Sequence, residues 1–288
     1  MNSMSNSLTA KGISRESLEA IAGLDVRRAL EMFVSIITSG YLSETAITST
    51  VMGGKAVPIT ERSILKILMR TGYKFFSDHS GFISNIFSFE SGWGKPDNFL
   101  QIEALYFLAS NRKLRGQIGL EDYFTCRYVA DQLQRQGYAP DDVLAALNLL
   151  LKRHLIAADH MGFHDVTFDD SVRILASGYM HVRVLSTRIE YLYGVIPTTP
   201  ILDRSVANQL GDVVRNESIR GEIGHYQQMK TVEIFHDYLA RQSRGNATPF
   251  SASENTGSAY VLGHIAEAIK QYKNVNAQFS RNPDPLDF

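Results

Sequence analysis

Apolar residues recur at helical spacing along most of the chain. After Asp25, the positions Val26, Ala29, Leu30, Phe33 and Ile37 fall on one face and predict a helix stopped at Gly40. Ahead of it, Ser14 as N-cap and Glu16 in the first turn predict a short helix ending near Ala22. Ser43 to Thr50 predicts a third helix. Thr60 to Thr71, with Ile64, Leu65 and Leu68 on one side, predicts a fourth that ends at Gly72. Gly53-Gly54 breaks the chain between them.

Residues 73–97 lose this period. They hold Tyr73, Phe75, Phe76, Phe82, Phe87, Phe89 and Trp93 among Gly and Ser. A long aperiodic stretch is uncommon inside a compact domain, and its aromatics predict an ordered connector packed on its neighbours. Stacking of these rings on nucleic-acid bases is the less favoured use.

Periodicity returns with a helix over Phe99–Asn111, a short strand at Ile118–Leu120 and a helix over Glu121–Gln136 closed by Gly137. Pro140, followed by Asp141 and Asp142, opens a helix running to Arg153. Leu155–Ala158 and Val172–Ala176 predict a hairpin around a polar loop, 160–171. Helix, strand, helix, turn, helix, hairpin is the order of a winged helix-turn-helix. Beyond it, Tyr179–Gly194 predicts one helical segment, broken by Pro197 and Pro200. Val206–Ser243 predicts a long one, interrupted near Gly221–Gly224, and Tyr260–Phe279 predicts a last helix after the polar loop 244–257. The expected fold is mainly α. It has a helical lid-like domain at 1–72, the aromatic connector at 73–97, a winged helix-turn-helix with a small β-hairpin at 98–176, and a C-terminal helical region at 177–288.

Composition narrows the function classes. The 288 residues carry 29 Lys+Arg against 30 Asp+Glu, with 44% hydrophobic residues. That balance excludes a disordered chain and a free polybasic arm. Cys126 is the single cysteine, so neither an intramolecular disulfide nor a Cys-rich zinc site can form. The polar start Met-Asn-Ser-Met-Ser-Asn-Ser has no apolar signal segment. The greasy runs Met32–Leu42 and Val143–Leu151 fall far short of the roughly 20 residues that span a bilayer. The expectation is a soluble, cytoplasmic protein with no membrane partner.

No phosphate loop is present. Gly53-Gly54-Lys55-Ala56 lacks both the Walker spacing and the following hydroxyl. Serine-hydrolase, zinc-protease and EF-hand signatures are likewise missing. His154, Asp159, His160, His164 and Asp165 cluster around the proposed wing, but without ligand spacing they predict a solvated loop and no metal site.

Residues 23–40 carry the chain's most specific signal. Asp25-Val26-Arg27-Arg28-Ala29-Leu30 resembles the Gly-Asp-x-Arg-Arg-Ala-Leu run at the sensor-2 position of AAA+ and related P-loop ATPase lids, with Leu24 inserted after Gly23. Ile36-Ile37-Thr38-Ser39-Gly40 resembles lids of a bacterial group in which a winged helix follows the lid. Val172–Tyr179 resembles the last strand and turn of that winged helix. The likeness is scattered over about residues 14–205. It implies a regulatory segment of an AAA+/STAND-like ATPase, with Arg27 and Arg28 as nucleotide-sensing residues. A guanidinium fork can hold phosphate oxygens in two parallel bonds. The segment has no Walker motifs and is not expected to be an enzyme alone. ATP and Mg would come with a core supplied in cis or in trans, and an oligomer is compatible with that arrangement.

Two other readings stay open: a winged-helix DNA-binding regulator and a helical adaptor. For duplex DNA, Arg112, Lys113 and Arg115 form the basic cluster, with Lys152 and Arg153 at the end of the would-be recognition helix. Residues 120–160 nevertheless hold four cations against six anions, and Asp141 and Asp142 occupy the end that usually meets bases. That charge favours a winged helix used for packing or protein contact. Residues 1–72, by contrast, hold eight cations against six anions.

Overall fold

A computed structural model describes residues 15–23, 25–39, 61–70, 76, 81–90, 92–111, 122–160, 164–220, 224–245 and 256–281. The expected helix 43–50, the strand 118–120, the cluster Arg112, Lys113 and Arg115, and the stops at Gly40 and Gly72 lie outside these residues. The fold is mainly helical with a small three-stranded antiparallel sheet.

Three helices come first: α1 (Arg15–Ala22), α2 (Val26–Thr38) and α3 (Glu61–Arg70). Gly23 ends α1 in the left-handed conformation at φ +67°, which glycine adopts without a Cβ penalty. Asp25 then caps α2, its Oδ1 accepting from Arg27 N at 2.8 Å and Arg28 N at 3.3 Å. The inward face of α2 differs from the expected one. Val26 is 75% exposed, Leu30 59% and Phe33 39%, whereas Met32 and Ile36 are buried. Arg28, Met32 and Ile36 form a second i, i+4 row, and this row faces the protein. Both rows have helical spacing, so periodicity alone could not choose between them. On α3, the expected Ile64, Leu65 and Leu68 are buried, together with Ile67 and Met69.

The middle of the chain holds α4 (Leu100–Ser110), β1 (Phe124–Thr125), α5 (Cys126–Gln134), α6 (Pro140–Lys152), β2 (Ile156–Ala158) and β3 (Ser171–Ile174). The strand order is β1-β3-β2, with Phe124 opposite Val172 and Ala157 opposite Arg173. The expected helix from Glu121 starts later, at Cys126. Thr125 is β-extended and its hydroxyl accepts from Tyr128 N, so the preceding residues pair with β3 instead. Pro140 opens α6 as expected, and Gly137 (φ +95°) ends the turn before it.

The expected single segment over 179–194 is split. It comprises α7 (Ala176–Arg183), a 3₁₀ turn at Leu185–Thr187 and α8 (Ile189–Val195), with another 3₁₀ turn at Ile196–Thr198 around Pro197. Long helices follow: α9 (Arg204–Arg220), α10 (His225–Gly245) and α11 (Gly257–Arg281). One contiguous apolar cluster runs from Ile21 through the middle of the chain to Ile269. Helix α1 packs on α7, α3 on α8, and α4 on both α6 and α11. Glu103 of α4 is buried and caps α11 across the chain, accepting from Gly257 N at 2.6 Å and Ser258 N at 2.7 Å.

The described part of the aromatic stretch lies inside this packing; Tyr73 and Phe75 fall outside the described residues. Phe76, Phe87 and Trp93 are buried, and Ile83 and Ile86 are fully so. Residues 81–90 are neither helix nor strand, so their backbone bonds go elsewhere. Phe82 N donates to Leu68 O at 2.8 Å. Ser84 N donates to His181 Nε2 at 2.9 Å, and Tyr191 OH donates to Ser84 O at 2.8 Å. Asn85 accepts from Phe87 N and donates to Val195 O, Thr198 Oγ1 and Thr199 Oγ1. Asn98 donates to Phe87 O and Pro200 O and accepts from Tyr238 OH.

Two outcomes follow. A Cβ added at Gly178 in α7 would collide with Leu155 O and come within 3.1 Å of Leu105 Cδ2. Gly178→Ala should therefore lower stability by about 1–3 kcal/mol, read as a fall in urea midpoint. His181 is fully buried, with Nδ1 bonded to Ser177 O at 2.7 Å, and burial holds its pKa at about 4 against an ordinary 6.5. Between those values the unfolded chain binds the proton and the folded chain does not. Stability is thus fully present above pH 6.5 and falls as the pH drops toward 4. His181→Gln should flatten that slope in denaturation curves taken from pH 7.5 to 4; an unchanged slope would remove His181 as its source.

Candidate functional site

The adjacent arginines of the sensor-like run diverge because a helix turns about 100° per residue. Arg27 projects to solvent with an 88% exposed side chain, and its Nε meets Glu31 Oε1 at 3.0 Å in an i, i+4 surface pair. Arg28 turns toward the protein. Its Nη2 donates to Phe82 O at 3.0 Å, and its guanidinium carbon lies 5.8 Å from the Phe82 ring centroid. Burial lowers the Arg28 pKa, partly offset by Asp25 and Glu31, and its buried Nε has no hydrogen-bond partner.

Arg28 lines a cleft of about 430 Å³ between α2, residues 81–90 and the corner joining α6 to β2. Ser84, Glu90, Lys152, Arg153 and His154 line it too. Three of the predicted site residues, Arg28, Lys152 and Arg153, therefore meet in one place although more than a hundred positions separate them. Lys152 reaches Asp165 at 3.2 Å, with both side chains 62% exposed. Arg153 is drawn inward, its Nη1 donating to Asn85 O at 2.9 Å, Ser88 Oγ at 3.0 Å and Gln101 Oε1 at 2.9 Å. His154 follows α6 in the left-handed region at φ +56°, its amide bonded to Leu151 O. Partial burial of its ring, and then Arg28, lower the His154 pKa, partly offset by Asp25. Arg28 and Arg153 also add to the depression at His181. The lining thus carries three cations, Arg28, Lys152 and Arg153, against Glu90.

The sequence pointed to these cations without indicating that they converge. It missed Ser84 and Glu90, which sit in the aperiodic stretch where no spacing marks a site. The expected repulsive pair Asp141 and Asp142 is also divided. Asp141 is exposed. Asp142 is buried and accepts from Gly94 N at 2.7 Å and Lys95 N at 3.1 Å, tying α6 to the aromatic stretch. Among the described residues no group of His, Cys, Asp and Glu is placed to hold a metal ion. His164 is exposed, Asp165 pairs with Lys152, and Asp159 accepts from Ser171 N. Burial pushes the Cys126 thiol up to about 12, which leaves it protonated and a poor nucleophile. No described helix is long and apolar enough to cross a membrane.

Comparison with known proteins adds no relative: no family model, no curated protein and no solved structure matches this chain.

Proposed function

We propose that the chain is a non-catalytic regulatory and interaction segment of a P-loop ATPase of the AAA+/STAND-like kind. Its lid-like helix α2 presents Arg27 to the nucleotide of an ATPase core in cis or in trans, and a winged helix makes packing contacts. The exposure of Arg27 carries this reading. Gly23 ends one helix, Asp25 starts the next and Arg28 anchors it, so local folding accounts for those parts of the run. Arg27 is left over. It occupies a first turn, where the macrodipole disfavours a cation, and among the described residues its side chain holds a surface pair worth roughly 0–1 kcal/mol. A guanidinium so placed can exchange Glu31 for phosphate oxygens. ATP and Mg would be held by the core, and this chain's share is that one fork.

The order α4, β1, α5, α6, β2, β3 with β3 central supports a winged helix. Its use in reading duplex DNA is the weaker reading. The charges exposed on α6 are Asp141 and Lys152, and Asn148 is spent on the loop, bonding both N and O of Val166. A base-reading helix needs polar side chains facing outward.

Arg27→Ala should lower the ATPase rate of the chain joined to, or mixed with, its P-loop core by about tenfold or more. Folding should be unaffected because the Arg27 side chain is 88% exposed. A steady-state rate equal to wild type would sink the sensing role. A duplex-binding signal that falls steeply with salt would move the function to the second reading.

A further inference from the structure

The cleft beside Arg28 is a different place from the outward face that carries Arg27. It is large for a bare anion and falls within the range of small-molecule pockets. Arg28 lines the cleft with a guanidinium whose Nη2 is held by Phe82 O, which fixes its charge at the wall. Among the described residues Lys152 is tethered by an exposed pair with Asp165 that a stronger anion can displace. Arg153 is fixed by three acceptors and contributes charge from a rigid position. His154 lines the cleft with an imidazole that can donate an N–H.

Glu90 distinguishes the ligand class. A carboxylate lining the same cleft as three cations opposes a simple anion. It suits a molecule that brings hydroxyl donors along with its negative charge. A nucleic-acid backbone offers phosphates in a row and fits such a lining poorly. We propose that this cleft binds a small phosphate monoester bearing free hydroxyls, of the sugar-phosphate type, with the phosphate at Arg28, Lys152 and His154 and a hydroxyl donating to Glu90. The site does not depend on the ATPase reading, because Arg27 takes no part in it.

Calorimetric titration of the full chain at low salt tests this with ribose 5-phosphate, inorganic phosphate and ribose. Ribose 5-phosphate should bind one to one, inorganic phosphate about tenfold more weakly, and ribose without measurable heat. The decisive variant is Glu90→Gln. It should weaken ribose 5-phosphate by about tenfold through loss of a charged acceptor, yet tighten inorganic phosphate by removing repulsion. Arg28→Lys should weaken both phosphates, and Lys152→Ala, a surface change, does so without touching the Phe82 anchor. No saturable heat with ribose 5-phosphate would overturn the proposal. So would a Glu90→Gln variant that tightens both phosphates, since the carboxylate would then only repel. A short DNA duplex that displaces ribose 5-phosphate and binds more tightly would overturn it in favour of nucleic acid.

Discussion

The fold depends on keeping an irregular segment dry. Residues 82–88 cross the middle of the protein without helix or sheet, and a buried amide or carbonyl left unpaired costs about 1–3 kcal/mol. Here the bonds come from side chains far away in sequence. His181 and Tyr191 hold Ser84, Asn98 holds Phe87 O, Arg153 holds Asn85 O, and Gln101 Nε2 holds Ser88 O. Arg28 and Leu68 take the two backbone groups of Phe82. The same bonds join α2 and α3 to α6, α7 and α8. A buried polar set of this kind holds one arrangement when every member is satisfied and becomes a liability when one is lost. His181 shows the condition it imposes. Its Nε2 must accept from Ser84 N while Nδ1 donates to Ser177 O, which only the neutral ring can do.

That constraint also shapes the cleft. Arg153 closes α6 and would ordinarily extend into solvent as a helix-end cation. The carbonyl of Asn85 and its neighbours draw the guanidinium in, while Phe82 O does the same to Arg28. Two cations needed to satisfy the buried segment thereby come to line one hollow. The cationic lining is a by-product of structural bonding, and it is available to a ligand at no further cost in burial.

Much of the element order was legible in the sequence. Helices α3 and α6 have a single dominant apolar face and clear punctuation, Pro140 among it, and they form where periodicity put them. The hairpin expected of Leu155–Ala158 and Val172–Ala176 around a polar loop forms with slightly shifted ends, Ile156–Ala158 against Ser171–Ile174. Three things were not legible. The inward face of α2 was ambiguous because two rows share the helical period. Strand β1 is two residues long, too short to show alternation against the helix that Thr125 caps. The partners of the 82–88 segment follow no local period at all. Asn85 meets Val195 and Asn98 meets Tyr238 across more than a hundred residues, and such bonds come only from the tertiary fold. The cleft was half legible for the same reason. Its cations were singled out one by one, but the segment that gathers them was not readable.

The row that buries Met32 and Ile36 assigns different work to the two arginines. Because Arg28 shares that row, its guanidinium is drawn to Phe82 O at the wall of the cleft, and burial lowers its pKa. Arg27, about 100° round the helix, cannot reach the interior without rotating α2 and exposing Met32 and Ile36. At about 1.5–3 kcal/mol for each large apolar side chain, that rotation is opposed strongly enough to fix which arginine looks outward. The exposed row Val26, Leu30, Phe33 and Val34 lies on the solvent side of the same helix. An ATPase core docking there would cover apolar surface and meet Arg27 in a single step. In that arrangement a phosphate contact and hydrophobic docking reinforce each other, and loss of the phosphate would weaken both.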